Sequence, residues 1–254
     1  MNRKKGKIKP LIAATILLAA GVLTAGGIKA YLEDRDNNIN TFTIGDVHIE
    51  ATEPAFPTED LDQDGVPDEC ELLIPYEEIS KDPRIKNVGS NDAIVFFKVT
   101  APVERLNLIG DDGKRKPIQD MDLFWFKQKE DAETAHESHW DEKWVELTTL
   151  DGEFVDCEGC NEEGKGYTYI FGYATRLTEH EETSPLFEKI QNKKYGSQTI
   201  NGEETEQIQL EAYAIQADDI HHAGIEVDTS GKMTEEDLTY IYKVCILQNR
   251  QEGG

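Results

Sequence analysis

Outside one short segment, positive charge is what this chain lacks. Its 254 residues hold 26 Lys and Arg against 51 Asp and Glu, a formal net charge of −25. Six of those basic residues and none of the acidic ones fall in residues 1–30, so the remainder stands at −31. A field of that sign repels nucleic acid and anionic membrane surfaces and favours solubility or divalent cations, so no nucleic-acid partner is expected. Catalytic signatures are missing too. There is no Gly-x-Ser-x-Gly elbow and no phosphate-binding glycine loop. A zinc protease of the common type needs His-Glu-x-x-His on a helix, where both imidazoles face one ion and the Glu deprotonates water. His136-Glu137-Ser138-His139 is one residue short of that spacing. No enzymatic activity is therefore expected. Nor does any Pro-, Gly- or Ser-rich linker divide residues 31–254, which reads as one domain.

The exception to the acidity is the start of the chain. Arg3, Lys4, Lys5, Lys7 and Lys9 precede an uncharged run over residues 11–24, the order of a secretory signal. Gly26, Gly27 and Ala30 supply small residues before Tyr31, which places cleavage between Ala30 and Tyr31. A retained anchor is the competing reading, because residues 11–28 reach the lower limit for a span. Gly21, Gly26, Gly27 and the adjoining Lys29 weaken it. Membrane contact is thus expected only through an uncleaved signal helix.

The residues after the cut carry a resemblance. Ala30-Tyr31-Leu32-Glu33-Asp34, a polar spacer, and Asn40-Thr41-Phe42-Thr43-Ile44-Gly45-Asp46-Val47-His48-Ile49 look like the start of proteins released by the SipW-type signal peptidase of Gram-positive bacteria. A second stretch, Lys81-Asp82-Pro83-Arg84-Ile85-Lys86-Asn87-Val88-Gly89 leading to Ala93-Ile94-Val95-Phe96, resembles a strand pair of the TasA and camelysin family. The likeness covers about the first 100 residues. It implies an ER-type, SipW-like signal peptidase as partner during export, and a secreted or wall-associated jelly-roll-like domain. It further implies self-association, or association with other proteins of a biofilm matrix. Two alternatives accompany it: a camelysin-like cell-surface metalloprotease, and a monomeric calcium-binding surface adhesin.

The sharpest chemical signal is an insertion at residues 60–71. Asp60, Asp62, Asp64 and Asp68 stand at loop positions 1, 3, 5 and 9, Gly65 at 6 and Glu71 at 12, the calcium-loop template, with the Val66 carbonyl available at 7. All of these donors are hard oxygens, so calcium is the expected ion, in the weak extracellular class of about 0.1 to 1 mM. Pro54, Pro57 and Pro75 keep the flanks from being helical, and Pro67 lacks the N–H through which paired loops join, so the loop stands alone.

Beyond it the pattern is mainly β. In residues 41–50, Phe42 and Ile44 have one parity and Val47 and Ile49 the other, so a bulge at Gly45-Asp46 is expected to bring all four to the buried face. Residues 93–102 are apolar on both faces and predict a central strand. Residues 123–126 and 144–150 predict further strands, and Asp111-Asp112-Gly113 a turn. Tyr167, Tyr169, Phe171 and Tyr173 line one face of another strand, read as core packing and not as a carbohydrate platform. Ile208, Leu210, Ala212 and Ala214 mark one more. Finally, Thr234 heads a capping box, and Leu238, Ile241, Tyr242, Cys245 and Ile246 form a helical stripe. The expected architecture is an antiparallel, jelly-roll-like β-sandwich with a C-terminal helix, preceded by a cleavable signal helix.

Four cysteines, Cys70, Cys157, Cys160 and Cys245, allow three pairings in an exported chain. Cys157 and Cys160 are close enough to pair with each other, which leaves Cys70 for Cys245. A rival use is zinc, held by His136, His139, Cys157 and Cys160, but the His-x-x-His spacing is tighter than usual and zinc is disfavoured.

Overall fold

The computed structural model describes residues 39–44, 47–63, 67–70, 76–110, 112–150, 152–158, 160, 164–195, 207–222 and 225–252. The signal segment and its cleavage point at Ala30 and Tyr31 lie outside them. No helix among the described residues is long and apolar enough to cross a membrane.

In chain order the strands are β1 (Ile39–Ile44), β2 (Ile49–Thr52), β3 (Glu78–Ser80), β4 (Arg84–Asn87), β5 (Ala93–Leu106), β6 (Gln119–Asp122), β7 (Phe124–Lys127), β8 (Trp144–Glu146), β9 (Glu153–Asp156), β10 (Lys165–Tyr173), β11 (Lys189–Asn192), β12 (Gln209–Gln216), β13 (His221–His222) and β14 (Ile225–Glu226). Helix α1 (Glu235–Glu252) closes the chain. The large sheet runs β1-β12-β5-β10-β8, with β6 on the far end of β5 and β9 on the start of β10; the small sheet runs β3-β11-β7. Pairs β2-β4 and β13-β14 form separate ribbons. From β3 onward the chain crosses repeatedly between the two main sheets: small at β3, large at β5, small at β7, large at β10, small at β11, large at β12. Strands β6, β8 and β9 also belong to the large sheet, so the sandwich is jelly-roll-like in its crossings without alternating at every strand. Among the described residues the fold is mainly β with one C-terminal helix, as the residue pattern predicts.

Strand β5 sets the layers. Ala93, Val95, Phe97, Val99 and Ala101 enter the core between the two sheets, with Phe124, Phe126, Phe187 and Ile190 opposite. The other parity, Ile94 and Phe96, enters a second core beneath α1, with Ile170, Tyr213, Ile215, Leu238, Ile241, Tyr242 and Cys245. The aromatic stripe of β10 faces the inter-sheet core. Phe171 lies 4.5 Å from Trp140 and Tyr173 5.0 Å from Trp144, ring centre to ring centre.

Helix α1 begins as its sequence dictates. Thr234 Oγ1 accepts from the Asp237 amide at 3.2 Å, and Asp237 Oδ2 accepts from the Thr234 amide at 3.0 Å, a reciprocal cap completed here by Asp.

Two expectations are corrected. Residues 41–50 are not one bulged strand: β1 joins the large sheet and β2 pairs with β4 in a ribbon of its own. Gly45 and Asp46 themselves lie outside the described residues. Phe42 is 37% exposed and stacks on Tyr213 at 4.9 Å on the α1 side of the large sheet, whereas Val47 is buried in the inter-sheet core together with Ile39 of β1. The sandwich is also not wholly antiparallel. Strand β1 runs parallel to β12, Ile39 against Leu210 through Ile44 against Ile215.

The helix packs closely over a glycine of β10. A Cβ on Gly172 would lie 3.0 Å from Leu238 Cδ2 and 3.0 Å from Phe96 Cε1. Gly172→Val therefore overpacks this contact and is expected to lower stability by about 2 kcal/mol, measured by urea denaturation followed by circular dichroism.

Candidate functional site

The acidic loop hangs between two buried anchors. On its N-terminal side Phe56 is buried beneath the Lys81 ammonium, 4.8 Å from the ring centre, and Lys81 is paired with Glu53 at 2.6 Å. The Ala55 amide donates to Asp82 Oδ1 at 2.7 Å. On its C-terminal side a short 3-10 turn, Asp68–Cys70, ends in the fully buried Cys70. Across the loop the Asp68 amide donates to the Glu59 carbonyl at 2.8 Å, and the Leu61 amide donates to Asp68 Oδ1 at 3.0 Å. These bonds draw the two ends of the loop together. Gln63 takes a left-handed φ of 60° where the chain reverses.

The result is that carboxylate oxygens of Asp60, Asp62 and Asp68 lie within 4.8 Å of one another. Template positions 1, 3 and 9 thus meet as the spacing predicts; Asp64, Val66 and Glu71 lie outside the described residues. Three like charges at that separation repel by about 1 kcal/mol per pair even at the dielectric of water. A divalent ion reverses the sign of that term. Three carboxylates form an all-oxygen donor set, the kind a hard cation such as calcium takes.

The cysteines divide differently from the simplest pairing. Cys157 and Cys160 form a disulfide. Cys70 and Cys245 do not join, because Cys70 belongs to the inter-sheet core and Cys245 to the core beneath α1, on the other side of the large sheet. Burial pushes both thiols up to about 12, which leaves them poor nucleophiles. The disulfide closes a very short loop and is worth about 2 kcal/mol on chain-entropy grounds. Its placement matters more. The Cys160 carbonyl accepts from the Gln207 amide and the Glu158 carbonyl from Gln209 Nε2, both at 2.7 Å, so the tied loop clamps the entry to β12. A Cβ on Gly166 would strike Thr100 and lie 3.1 Å from Cys157 Cβ, so only glycine fits where that loop crosses β10.

The histidines are held apart from these cysteines. His136 stacks against Tyr76 at 4.3 Å and Trp125 at 5.1 Å. His139 Nδ1 lies 2.9 Å from Asp131 Oδ1 and its Nε2 3.3 Å from Glu137. Among the described residues, His136, His139, Cys157 and Cys160 do not converge as a ligand group.

Sequence reasoning overlooked two features. Lys127 is wholly buried, with its ammonium bonded to Glu78 Oε1 at 2.6 Å and to the Ala132 carbonyl at 2.9 Å, while Lys189 holds Glu78 Oε2 at 2.8 Å. Burial pushes Glu78 up, but the bonds from Lys127 and Lys189 outweigh it and hold its carboxyl below the ordinary range. Tyr76 is the second. It keeps a left-handed φ of 72°, held by its amide on the Asn192 carbonyl at 3.0 Å and its carbonyl on Gln191 Nε2 at 3.0 Å. Such a backbone costs a non-glycine residue of order 1 kcal/mol. The positive-φ tyrosine carries no sequence signal of its own.

Compared with models of protein families, with curated proteins and with solved structures, the chain shows no match. The class is therefore defined by geometry: a jelly-roll-like sandwich with an acidic loop and a parallel edge strand.

The hydrogen bond from His139 to Asp131 raises the imidazole above its ordinary 6.5, against a smaller opposing effect of burial. Its contribution to stability is complete below pH 6.5 and is lost as pH rises through the raised value. Asp131→Asn is expected to return the His139 midpoint toward 6.5, read from its imidazole proton shifts by NMR titration.

Proposed function

We propose that the chain is an exported structural protein of an extracellular matrix or cell wall, one that assembles with copies of itself into fibres and holds calcium in its acidic loop. The resemblance at residues 30–49 and 81–96 to the TasA and camelysin family points the same way. The observation that carries the reading is the position of β1. Among the described residues it is the edge strand of the large sheet, it pairs with β12 in parallel, and it follows closely the segment read as newly exposed after cleavage at Ala30 and Tyr31. Parallel pairing is slightly weaker per residue than antiparallel, and an edge strand near a chain terminus can be exchanged between copies at little cost.

The metalloprotease alternative draws no support from the geometry, because His136 is engaged in a ring stack and His139 with Asp131. The adhesin alternative differs in one observable, a lasting monomer. Electron microscopy of the chain starting at Tyr31 is expected to show fibres. Thr43→Pro removes an amide from β1 and is expected to abolish them while leaving the β circular-dichroism signal in place. Single particles by microscopy and a monomer by sedimentation, with the β signal intact, would sink the fibre reading.

Calcium is tested separately. With a dissociation constant of about 0.5 mM, 10 mM calcium stabilises the folded chain by about 2 kcal/mol, seen as a rise in Tm. The double variant Asp62→Asn, Asp68→Asn is expected to lose that rise, and a wild-type Tm indifferent to calcium refutes the site.

A further inference from the structure

We propose that the Cys157–Cys160 disulfide is a redox latch on β1: oxidised, it holds the start of β12 and so keeps β1 seated, and reduction by a dithiol frees β1 to leave. The inference rests on the reading of β1 as the exchanged strand and adds what controls its release.

The disulfide belongs to the hairpin loop between β9 and β10, yet the contacts it sets are on β12. The Cys157 amide closes the hairpin on the Gly164 carbonyl at 2.7 Å. From there the loop passes over β10 at Gly166, beside Thr100 of β5, to reach β12, two strand spacings or about 10 Å away. It ends in two bonds. The Cys160 carbonyl accepts from the Gln207 amide and the Glu158 carbonyl from Gln209 Nε2. Both accepting carbonyls lie within the four residues that the disulfide ties, so β12 is gripped at its first residue and two residues before.

The loop has little else to hold it there. Residues 157–164 read Cys-Glu-Gly-Cys-Asn-Glu-Glu-Gly, in which the two cysteines are the only apolar side chains and three glutamates carry like charge. Both cysteines are buried. With the bond cut, the two carbonyls lose the closure that fixes them relative to each other.

Under the grip lies the seat of β1. Ile208, between the two gripped residues, is buried in the inter-sheet core with Leu210 and Ile39. Ile39 pairs with Leu210, which pairs on its other side with Val99 of β5. Because β1 and β12 run parallel, the gripped start of β12 lies beside the start of β1. Among the described side chains of β1, only Ile39 and Ile44 are buried, and Ile44 sits at the far end in the core beneath α1. Fraying of residues 207–210 therefore removes one of two anchors of β1, while the ladder of β12 with β5 from Glu211 onward stays in place.

The switch is a thiol–disulfide exchange. A thiolate of the dithiol attacks one sulfur and forms a mixed disulfide, which the second thiol resolves. Two electrons and two protons pass to Cys157 and Cys160, leaving two thiols, and the dithiol closes into its own disulfide. Since both cysteines are buried, the attack takes place on local opening of the loop.

The test is hydrogen exchange read by mass spectrometry on the chain starting at Tyr31, kept dilute, in oxidised form, after reduction with dithiothreitol and after reoxidation. Reduction is expected to speed exchange in residues 39–44 and 207–211 at least about tenfold, with β3, β7, β11 and α1 unchanged. Reoxidation restores the slow rates. Gln209→Ala, which removes one grip and leaves the disulfide, speeds the same two segments by a smaller factor. Rates unchanged by reduction, or by Gln209→Ala, overturn the latch. Acceleration throughout the molecule overturns it as well, because the disulfide is then a general brace. Fibre onset is followed separately at high concentration, where the reduced chain is expected to form fibres sooner. Equal onset in the two states overturns control of release. Absence of fibres in both states counts against the proposed assembly alone, and the exchange rates then decide the latch.

Discussion

Strand β5 is buried on both faces for almost all of its 14 residues, and the rest of the molecule answers that constraint. A strand of this kind cannot sit at an edge or face water, so each side needs its own cover. The small sheet covers one parity. The other parity is covered in pieces: α1 lies over Ile94 and Phe96, while Thr100, which is also buried, lies close to the Cys157–Cys160 loop where that loop crosses Gly166. Between them runs a more open band, where Lys98 meets Glu211 at 2.6 Å. The disulfide is thus part of the cover over one sheet face and not a brace between distant segments.

The small sheet is held by charge on its other side. Glu78 on β3, Lys127 on β7 and Lys189 on β11 place one ion cluster across all three strands. Burying an ammonium costs several kcal/mol unless its donors are satisfied, and removing one partner of such a pair is more damaging than the pair is stabilising. Lys127 meets that condition with a carboxylate and a carbonyl. The cluster therefore fixes the register of the small sheet more than it adds to net stability. Because the Glu78 carboxyl is held below its ordinary range, this restraint is present above about pH 4.3 and fades as pH falls through the depressed value.

What the residues announce and what they conceal divide along physical lines. The double-faced run of β5, the aromatic alternation of β10, the Leu210-Ala212-Ala214 face of β12 and the capped α1 are local patterns, and each folds as read. The spacing of Asp60, Asp62 and Asp68 was equally legible, since a short loop obeys its own geometry. Long-range facts were not. The partner of Lys127 lies 49 residues away, and nothing near Phe-Trp-Phe-Lys marks that lysine as buried. The parity break near Gly45 gave a bulge as the economical reading, yet the same break serves a strand that ends in one sheet and restarts in a ribbon. Likewise the even cysteine count says nothing of which face of a sheet each thiol occupies.

Electrostatics ties the proposed assembly to the proposed ion. On the proposed reading, two copies that start at Tyr31 each carry −31 (20 basic minus 51 acidic residues) and repel at long range; at physiological salt screening reaches only about 8 Å, so contact is made against residual repulsion. On the same reading, the backbone hydrogen bonds of β1 to β12 and the burial of Ile39 and Ile44, neither of which depends on charge, are made between copies. A divalent ion at Asp60, Asp62 and Asp68 lowers the local negative potential without adding a basic side chain. A chain that carries its acidity mainly on its surface and its adhesive contacts mainly in backbone and aromatic groups can stay soluble while dilute. On the proposed reading, the difference between dilute and crowded surroundings is what turns an exported monomer into a matrix.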